Sequence, residues 1–376
     1  SKLAISFLRP ISSTPMTRSH RAVRAVRAAA AAVAAAAVAA IVGPAVDVWF
    51  GPRGKQLRIS PRLREMPDLT DTTCIVTGAS SGLGEEVAMQ LALAGAASVT
   101  WACRNTARCE KVMDTMFSEC LQADGLTPAS CEEARARSRC EALDLSDAAS
   151  VRAFAERQVA GSSSGRPLLL VNNAGVMGVP EEAGVDGHLW PNHYGHFLLS
   201  RLLLPAMGPG SGVVVVGSRA HHQGALRFRE DGSMDTECGG GHWYRRYARS
   251  KLCNVLFCAE WRRRIPEGPA CVAVSPGRVA TGIFAGVPPP LDAPLGWLAR
   301  LCFQSPAQGA EHVLAGVSAA LGSSDAACPL YLHLGRPAEA SAAALDAELA
   351  AQLWRASEVE VGLGSSEPGA AETSRG

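Results

Sequence analysis

The sequence lacks several features that would indicate particular classes of protein. Its net charge is only +1, which argues against a nucleic-acid partner. None of the twelve cysteines forms a C-x-x-C pair, and the histidines have no zinc-finger spacing, so we expect no metal site. Scattered cysteines in a chain of 376 residues are typical of reduced, mostly buried side chains, because disulfide frameworks belong to much smaller secreted domains.

Acidic residues are absent from residues 1–46, and Asp47 is the first. Arginines within this segment precede an uncharged, Ala/Val-rich run at 28–46, close to the ~20 residues needed to span hydrocarbon. Three interpretations stay open: a membrane signal anchor, an organellar transit peptide, and a low-complexity leader with no fixed structure. The arginines are Arg18, Arg21, Arg24 and Arg27.

The rest of the chain alternates short apolar runs with helical patterns. Val213–Val216 is a continuous β-branched run, typical of a strand that is buried on both faces. The alternation predicts an α/β fold with a single doubly wound parallel sheet of the Rossmann type. We expect a leader at 1–70, one NAD(P)-binding domain at 71–360 and a flexible tail at 361–376. The polar stretch 121–139 is expected to be an irregular surface insertion.

Strands and helices are predicted from the same patterns. The predicted strands are 73–76, 98–103, 141–143, 168–171, 213–216, 271–275 and 330–333. The predicted helices are 82–94, 105–120, 148–159, 191–206, 245–264 and 307–321.

A glycine-rich turn lies between the first predicted strand and the first helix. Gly78 would permit the tight turn, Gly82 would let backbone approach a pyrophosphate, and Gly84 would let the helix pack near the sheet. Backbone N–H groups at the helix start would face the anion, so a dinucleotide cofactor is predicted. The candidate cofactor-binding residues here are Thr77, Gly78, Ser80, Ser81, Gly82, Leu83 and Gly84.

The end of the second predicted strand distinguishes between the two dinucleotides. An acidic residue there would bind the free ribose 2′-OH of NAD(H), but the sequence reads Ala102-Cys103-Arg104. Arg104 could instead bind a 2′-phosphate bidentately. We therefore expect NADP(H), with NAD(H) as the alternative if Arg104 is only a solvated surface charge.

Tyr247 and Lys251 are four residues apart on a predicted helix and hence on one face. A phenol has a pKa of about 10, which a neighbouring ammonium and an oxidised nicotinamide would lower. Tyr247 could then exchange a proton with an alcohol or carbonyl oxygen while hydride moves. A Y-x-x-x-K pattern alone often occurs by chance, and its position after a glycine-rich nucleotide turn makes it specific.

Further candidates lie where other predicted strands end, near the edge at which ligands bind to such sheets. Ser218 follows the 213–216 strand and could hold the reacting oxygen. Two other segments could contact the cofactor, although each could also be an ordinary turn. They are Asn172, Asn173, Ala174 and Gly175, and Pro276, Gly277 and Thr281, whose hydroxyl could bind the nicotinamide amide.

In this order the motifs TGASSGLG, Asp144-Leu145, NNAG, Ser218, YARSK and SPGRVAT resemble the short-chain dehydrogenase/reductase superfamily over about residues 71–360. The resemblance implies that Tyr247 is the acid/base, that Lys251 tunes its pKa and binds ribose, and that Ser218 donates to the substrate oxygen. It also places Asp144 and Leu145 near adenine. Asn192 is similar to the asparagine that organises a water to the lysine.

Further motifs narrow the resemblance to the group of retinol dehydrogenases, polyprenol dehydrogenase and protochlorophyllide reductase. They are ACRN, LDLSDAASVRAF, NNAGVM, NHYGHFLLSRLLL and SKLCNVLF. One stretch departs from the family, because 186–192 is about three residues short. Pro191 is tolerated only in a first helical turn, so the helix is expected to start late.

The resemblance implies a membrane-associated oxidoreductase that interconverts an alcohol and a carbonyl on a lipophilic substrate such as a retinoid, a polyprenoid or a long-chain aldehyde. Residues 28–46 would attach it to the endoplasmic reticulum with the catalytic domain on the reducing side, and 282–297 would form an apolar lid. A chloroplast or mitochondrial location and a homodimer are also considered. Two other functions stay open: a plastid protochlorophyllide-reductase-like enzyme and a catalytically silent nucleotide-binding interaction protein.

Overall fold

A computed structural model describes residues 60–64, 66–121, 126–161, 165–179, 187–238, 242–280, 303–322 and 327–364. Eight strands of this part of the chain form one sheet in the order β3-β2-β1-β4-β5-β6-β7-β8. All neighbouring pairs from β3 to β7 are parallel, and only β8 is antiparallel. The expected doubly wound parallel sheet is therefore confirmed.

The regular elements follow the predicted alternation closely. The strands are β1 Thr73–Thr77, β2 Ser98–Cys103, β3 Ser138–Ala142, β4 Leu168–Asn172, β5 Gly212–Val216, β6 Ala270–Ser275, β7 Tyr331–His333 and β8 Arg336–Pro337. The helices are α1 Leu83–Leu93, α2 Thr106–Cys120, α3 Pro128–Ala136, α4 Ala148–Gly161, α5 Gly195–Leu203, α6 Trp243–Arg264, α7 Pro306–Gly322 and α8 Ala347–Glu360. A π-helical turn at Trp190–Tyr194 precedes α5, and a 3₁₀ turn at Arg219–Gln223 follows β5.

The central strands are apolar throughout because both faces of the sheet are covered. In β5, Val214 and Val216 belong to the core that includes α1 and α7, whereas Val213 and Val215 belong to the core that includes α5 and α6. Successive side chains of a strand point to opposite faces, so a strand between two helical layers has no solvent-facing position.

The order of the strands positions the site. β1 pairs with β2 on one side and with β4 on the other, so the chain changes direction across the sheet at β1. Loops that leave the carboxyl ends of β1 and β4 turn apart there, and this opening is where open α/β sheets bind ligands.

The polar stretch 121–139 is less irregular than its composition suggests, and the expectation of an unstructured insertion is wrong for its second half. Residues Pro128–Ala136 form α3, which begins with a reciprocal capping box between Thr127 and Ser130. Cys131 and Ala134 are buried under the same core as α1 and α2. Two small apolar residues on one face are enough to dock a short helix, although they give little signal in a sequence.

The expectation that the cysteines are reduced is wrong for four of them. Cys109 of α2 is bonded to Cys140 of β3, and Cys120 at the end of α2 is bonded to Cys131 of α3. Spacing alone could not reveal these pairs, because the cysteines of α2, α3 and β3 become neighbours only when the sheet and its helices pack together. The free cysteines of the described residues are buried, except for the half-buried Cys238.

The predicted leader and tail lie mostly outside the described residues, so the domain boundaries stay predictions. The same holds for the proposed anchor at 28–46. No helix within the part of the chain that the structure describes is long and apolar enough to cross a membrane.

Candidate active site

The glycine-rich turn has the geometry that its sequence predicts. Gly78 and Gly82 have φ of 68° and 63°, and Gly78 N–H donates to the Ala102 carbonyl at 2.8 Å. A side chain is disfavoured at such angles, so glycine is needed at both positions. No side chain caps α1 at Gly82. The first N–H groups of the helix therefore face the opening, where they suit a phosphate.

Gly84 is needed for close packing rather than for an unusual backbone conformation. A Cβ built there would lie 2.5 Å from the carbonyl oxygen of Gly78 and 2.5 Å from Nδ2 of Asn173. No real Cβ tolerates such distances, so only glycine lets α1 approach both the turn and the segment after β4. The predicted role of Gly84 in close packing agrees with this geometry.

The NNAG segment is fixed against the end of β1. The Thr77 hydroxyl accepts hydrogen bonds from the N–H groups of Asn173 and Ala174 at 2.9 and 3.0 Å. Asn173 Nδ2 donates back to the Thr77 carbonyl at 2.8 Å, and Asn172 Nδ2 donates to Ser200 at 2.9 Å. These residues thus hold the two sides of the opening at a set width.

Gly175 continues this segment past the catalytic candidates. A Cβ at Gly175 would lie 3.3 Å from Oδ1 of Asn192 and 3.5 Å from Nζ of Lys251. The segment therefore passes directly beside the lysine, as a role in cofactor binding requires.

Arg104 and the Asp144-Leu145 pair stand at the other end of the opening. Arg104 is exposed directly after β2, and no hydrogen bond or ion pair of its side chain is found among the described residues. Asp144 is half-buried and accepts the N–H of Ser146 at 2.9 Å, while Leu145 is buried. An exposed guanidinium at this position is available to a ligand phosphate.

Tyr247 lies on α6 and is buried, with 7% of its surface exposed. Ser218 is near enough to lower the pKa of the tyrosine hydroxyl, and its Oγ accepts the N–H of Ala220 at 3.1 Å at the start of the 3₁₀ turn. Burial raises the pKa of Tyr247 to about 12, and the smaller effect of the Ser218 side chain is to lower it. Burial therefore acts against the lowering that the sequence predicts from the lysine ammonium together with an oxidised nicotinamide.

Lys251 lies one helical turn beyond Tyr247, and its Nζ is 5.7 Å from the centroid of the tyrosine ring. Nζ donates to the Val216 carbonyl at the end of β5 at 2.9 Å. Burial lowers the pKa of Lys251 to about 8. The predicted shared face of Tyr247 and Lys251 is therefore present, and Ser218 approaches it from the segment that follows β5.

Asn192 is brought to the same place by the π-helical turn. Pro191 occupies the first turn, as expected, and Asn192 is fully buried. Its Oδ1 accepts the Val176 N–H at 2.8 Å, and its Nδ2 donates to the Val176 carbonyl at 3.0 Å and to Ser250 at 2.9 Å. A π turn adds a residue to the helical repeat and is frequent at functional sites.

The segment after β6 is described only in part. Gly277 has a φ of 85°, and a Cβ there would lie 2.6 Å from Leu334, so Pro276-Gly277 forms a turn against the end of β7. Thr281 and the proposed lid at 282–297 lie outside the described residues, and their roles stay predictions.

Sequence reasoning missed His196 and His188. His196 is buried between Thr77 and Asn192, and the ring centroid of His188 is 6.5 Å from that of Tyr247. Neither histidine belongs to a motif with a chemical meaning of its own. The only available signal was their spacing of four residues to either side of Asn192.

Comparisons with known proteins establish the family. A family model for short chain dehydrogenases matches residues 72–229. Polyprenol dehydrogenase of Danio rerio is 32% identical over 80% of this chain and 90% of its own length. Retinol dehydrogenase 14 of Homo sapiens is 33% identical, covering 83% of this chain and 92% of its own. The chain belongs to the short-chain dehydrogenase/reductase family, a family of oxidoreductases.

Other relatives and solved structures agree with this assignment. Dehydrogenase/reductase SDR family member 13 of Homo sapiens is 36% identical over 82% of this chain and 78% of its own. A short-chain dehydrogenase/reductase of Brucella melitensis covers 71% of this chain and 95% of its own with a TM-score of 0.51 at 18% identity. One of Burkholderia cenocepacia in complex with NADP covers 71% and 97%, with a TM-score of 0.50 at 21% identity. At these identities the solved structures show a shared fold.

Proposed function

We propose that the protein is an NADP(H)-dependent oxidoreductase that interconverts an alcohol and a carbonyl on a lipophilic substrate. The observation that carries this proposal is the buried Tyr247, whose pKa the Ser218 side chain lowers, beside Lys251, whose Nζ donates to the Val216 carbonyl at the carboxyl end of β5. This arrangement provides a proton donor and a second hydroxyl for one substrate oxygen, in the region where the sheet binds ligands.

The residues around the opening fit a dinucleotide. Uncapped N–H groups of α1 and the glycines at 78 and 82 suit its pyrophosphate, and the exposed Arg104 suits a 2′-phosphate. Segment 172–175 and Lys251 would hold the nicotinamide half, since Gly175 passes beside the lysine. The Burkholderia relative's description as an NADP complex supports this choice.

The cofactor would supply or accept the hydride, and the protein would control the substrate oxygen and its proton. In carbonyl reduction, Ser218 donates a hydrogen bond to the oxygen, and Tyr247 gives it a proton. A pKa of Tyr247 near 12 keeps the phenol protonated at neutral pH, ready for this direction. In alcohol oxidation, the positive charge of an oxidised nicotinamide and of Lys251 would lower the pKa and favour the phenolate.

The lipophilic substrate class is supported by the names of the relatives, polyprenol dehydrogenase and retinol dehydrogenase. Apolar residues of the 282–297 segment, namely Ile283, Phe284, Val287 and Leu291, would cover such a substrate. Association with the endoplasmic reticulum through 28–46 and a homodimer complete the proposal. The two disulfides remove the basis for placing the catalytic domain on the reducing side, because disulfides persist in oxidising compartments.

The test is NADPH oxidation against a panel of retinoid, polyprenoid and long-chain aldehydes. Tyr247→Phe removes the proton donor, so we expect kcat to fall at least about 10²-fold, the usual contribution of a general acid. Tyr331→Phe removes the hydroxyl of another buried tyrosine, on β7, and should retain activity.

Two results would contradict the proposal. An unchanged kcat for Tyr247→Phe would refute the mechanism. Tight NADPH binding by the native protein without turnover of any carbonyl would instead indicate a nucleotide-binding protein that is catalytically silent.

A further inference from the structure

His196 connects two parts of the site that the motifs treat separately. It lies in the first turn of α5, four residues after Asn192, and is buried. Its Nε2 is 2.9 Å from the Thr77 hydroxyl, at the end of β1. Its Nδ1 is 3.3 Å from the backbone carbonyl oxygen of Asn192. One imidazole ring thus spans from the nucleotide turn to the π-helical turn.

The partners determine which nitrogen carries the hydrogen. A carbonyl oxygen can only accept, so Nδ1 must be the donor to Asn192. Burial lowers the pKa of His196 to about 3, so the ring is neutral at physiological pH, and Nε2 is left as an acceptor. A neutral ring with a hydrogen on Nδ1 has none on Nε2.

The Thr77 hydroxyl fixes the direction in which this chain of hydrogen bonds runs. Its oxygen accepts from the N–H groups of Asn173 and Ala174, which use its acceptor positions. Its own hydrogen is therefore available to Nε2 of His196 at 2.9 Å, whereas the other acceptor, the Val171 carbonyl, is 3.4 Å away. Each donor in this buried network then has an acceptor, and the hydrogen bonds can run in only one direction.

We propose that His196 is a positioning residue: as the neutral Nδ1–H tautomer it connects the nucleotide turn at Thr77 to the backbone of Asn192. The proposal rests on the proposed function of the site. Asn192 in turn bonds Val176, which follows the Gly175 beside Lys251, and Ser250, which precedes Lys251 on α6. We therefore expect loss of the hydrogen bond at Nδ1 to lower kcat, and loss of the hydrogen bond at Nε2 to disturb the nucleotide turn and weaken NADPH binding.

The tautomer can be observed directly in the native protein. ¹⁵N NMR of histidine-labelled protein, with the His196 signals assigned by their loss in His196→Gln, should show a hydrogen on Nδ1 and none on Nε2. The shifts should stay constant from pH 5 to 8. An Nε2–H tautomer, or a titration near the ordinary pKa of about 6.5, would overturn the proposal. This readout requires neither activity nor a known substrate.

Two substitutions separate the ends of the ring. Glutamine can place a carbonyl oxygen near the Nε2 position but loses the donor to Asn192, whereas asparagine keeps a donor near Nδ1 but loses the acceptor for Thr77. We expect His196→Gln to lower kcat about tenfold with the Kd for NADPH within about twofold of the native value. His196→Asn should raise that Kd about five- to tenfold and lower kcat less than His196→Gln does.

His193 provides the matched control. It is buried on the preceding π turn, burial lowers its pKa to about 3 as well, and its Nε2 bonds Ser357 of α8, away from the nucleotide turn. His193→Gln and His193→Asn should lower thermal stability without separating kcat from the Kd for NADPH. Equal effects of the two His196 variants on both constants, as for a purely structural residue, would overturn the proposal.

Failure of the proposed function would look different. If the native protein oxidised no NADPH with any carbonyl, the oxidoreductase assignment of the site would fail. The tautomer and the unequal NADPH affinities of the two His196 variants would still decide the role of His196.

Discussion

Burial dominates the electrostatics of the two central residues of the site. It raises the pKa of Tyr247 to about 12 and lowers the pKa of Lys251 to about 8. Both shifts favour the neutral form, because the low dielectric of the interior penalises either charge. The protein thus holds a protonated tyrosine beside a lysine that loses its proton more readily than it would in water.

Lys251→Met should change how stability depends on pH. A pKa of about 8 against an ordinary 10.5 means that the buried ammonium costs roughly 3 kcal/mol below pH 8. Between pH 8 and 10.5 the folded state binds fewer protons than the unfolded state, so the free energy of unfolding rises with pH. Relative to Lys251→Met, the native protein should gain roughly 2–3 kcal/mol from pH 8 to 10 in urea titrations.

A difference between the unfolding free energies of the two proteins that stays constant from pH 8 to 10 would contradict the burial of a charged lysine.

Arg104→Asp should change the preference between cofactors. The substitution replaces a guanidinium that suits a 2′-phosphate with a carboxylate that suits a free 2′-OH. We expect the ratio of kcat/KM for NADPH over NADH to fall at least about tenfold. Arg108→Asp is the control, because Arg108 is also exposed at the start of α2 and only its backbone N–H bonds the capping Asn105. An unchanged ratio for Arg104→Asp would mean that Arg104 is only a surface charge.

Close contacts between elements explain why small residues occur where the site is narrow. Gly84 lets α1 touch the turn before it, and Gly195 lets α5 begin directly against the Leu145 carbonyl. Three segments meet at Gly84, namely α1, the turn at Gly78 and the segment after β4, so the width of the opening there depends on the absence of a single Cβ. The motif predicts a glycine at 84, but only the packing shows that Gly78 and Asn173 leave no room for a Cβ there.

Gly84→Ala should therefore be destabilising even though alanine favours helices. Its Cβ would lie 2.5 Å from both Gly78 and Asn173, and the repulsion should cost about 1–3 kcal/mol of unfolding free energy. NADPH affinity should fall as well, because the turn and segment 172–175 would be pushed apart. Gly161→Ala, at the end of α4 with no atom within 4 Å of the new Cβ, should be neutral or slightly stabilising. Equal melting temperatures for the two variants would contradict this account.

For the molecule as a whole, the sheet and the core could be predicted from the sequence, whereas the two disulfides could not. The strand alternation, the apolar β5 and the order of the motifs led to the correct fold and family. The disulfides joining α2 to β3 and α3 were missed because cysteine spacing does not encode which residues become neighbours. The uncharged run at 28–46 remains the basis for the proposed membrane association.

Deletion of 28–46 tests that association. The native protein should sediment with microsomal membranes and resist extraction at high pH, because the apolar run is long enough to span hydrocarbon. The deletion variant should be extracted and keep its affinity for NADPH, because the nucleotide-binding residues lie far along the chain. Protease protection of the catalytic domain would then report its side of the membrane. A native protein that is fully extracted would contradict the anchor and favour a cleaved transit peptide.

The sequence by itself determined the fold class, the family, the nucleotide turn and the pair Tyr247 and Lys251. These depend on local spacing: a strand, a glycine-rich turn and a helix face are each encoded within a few neighbouring residues. Only the tertiary structure determines that burial raises the pKa of Tyr247, which cysteines form disulfides, and that His196 connects Thr77 to Asn192. Burial and pairing between distant segments depend on which residues the folded sheet brings together, and no local pattern records that.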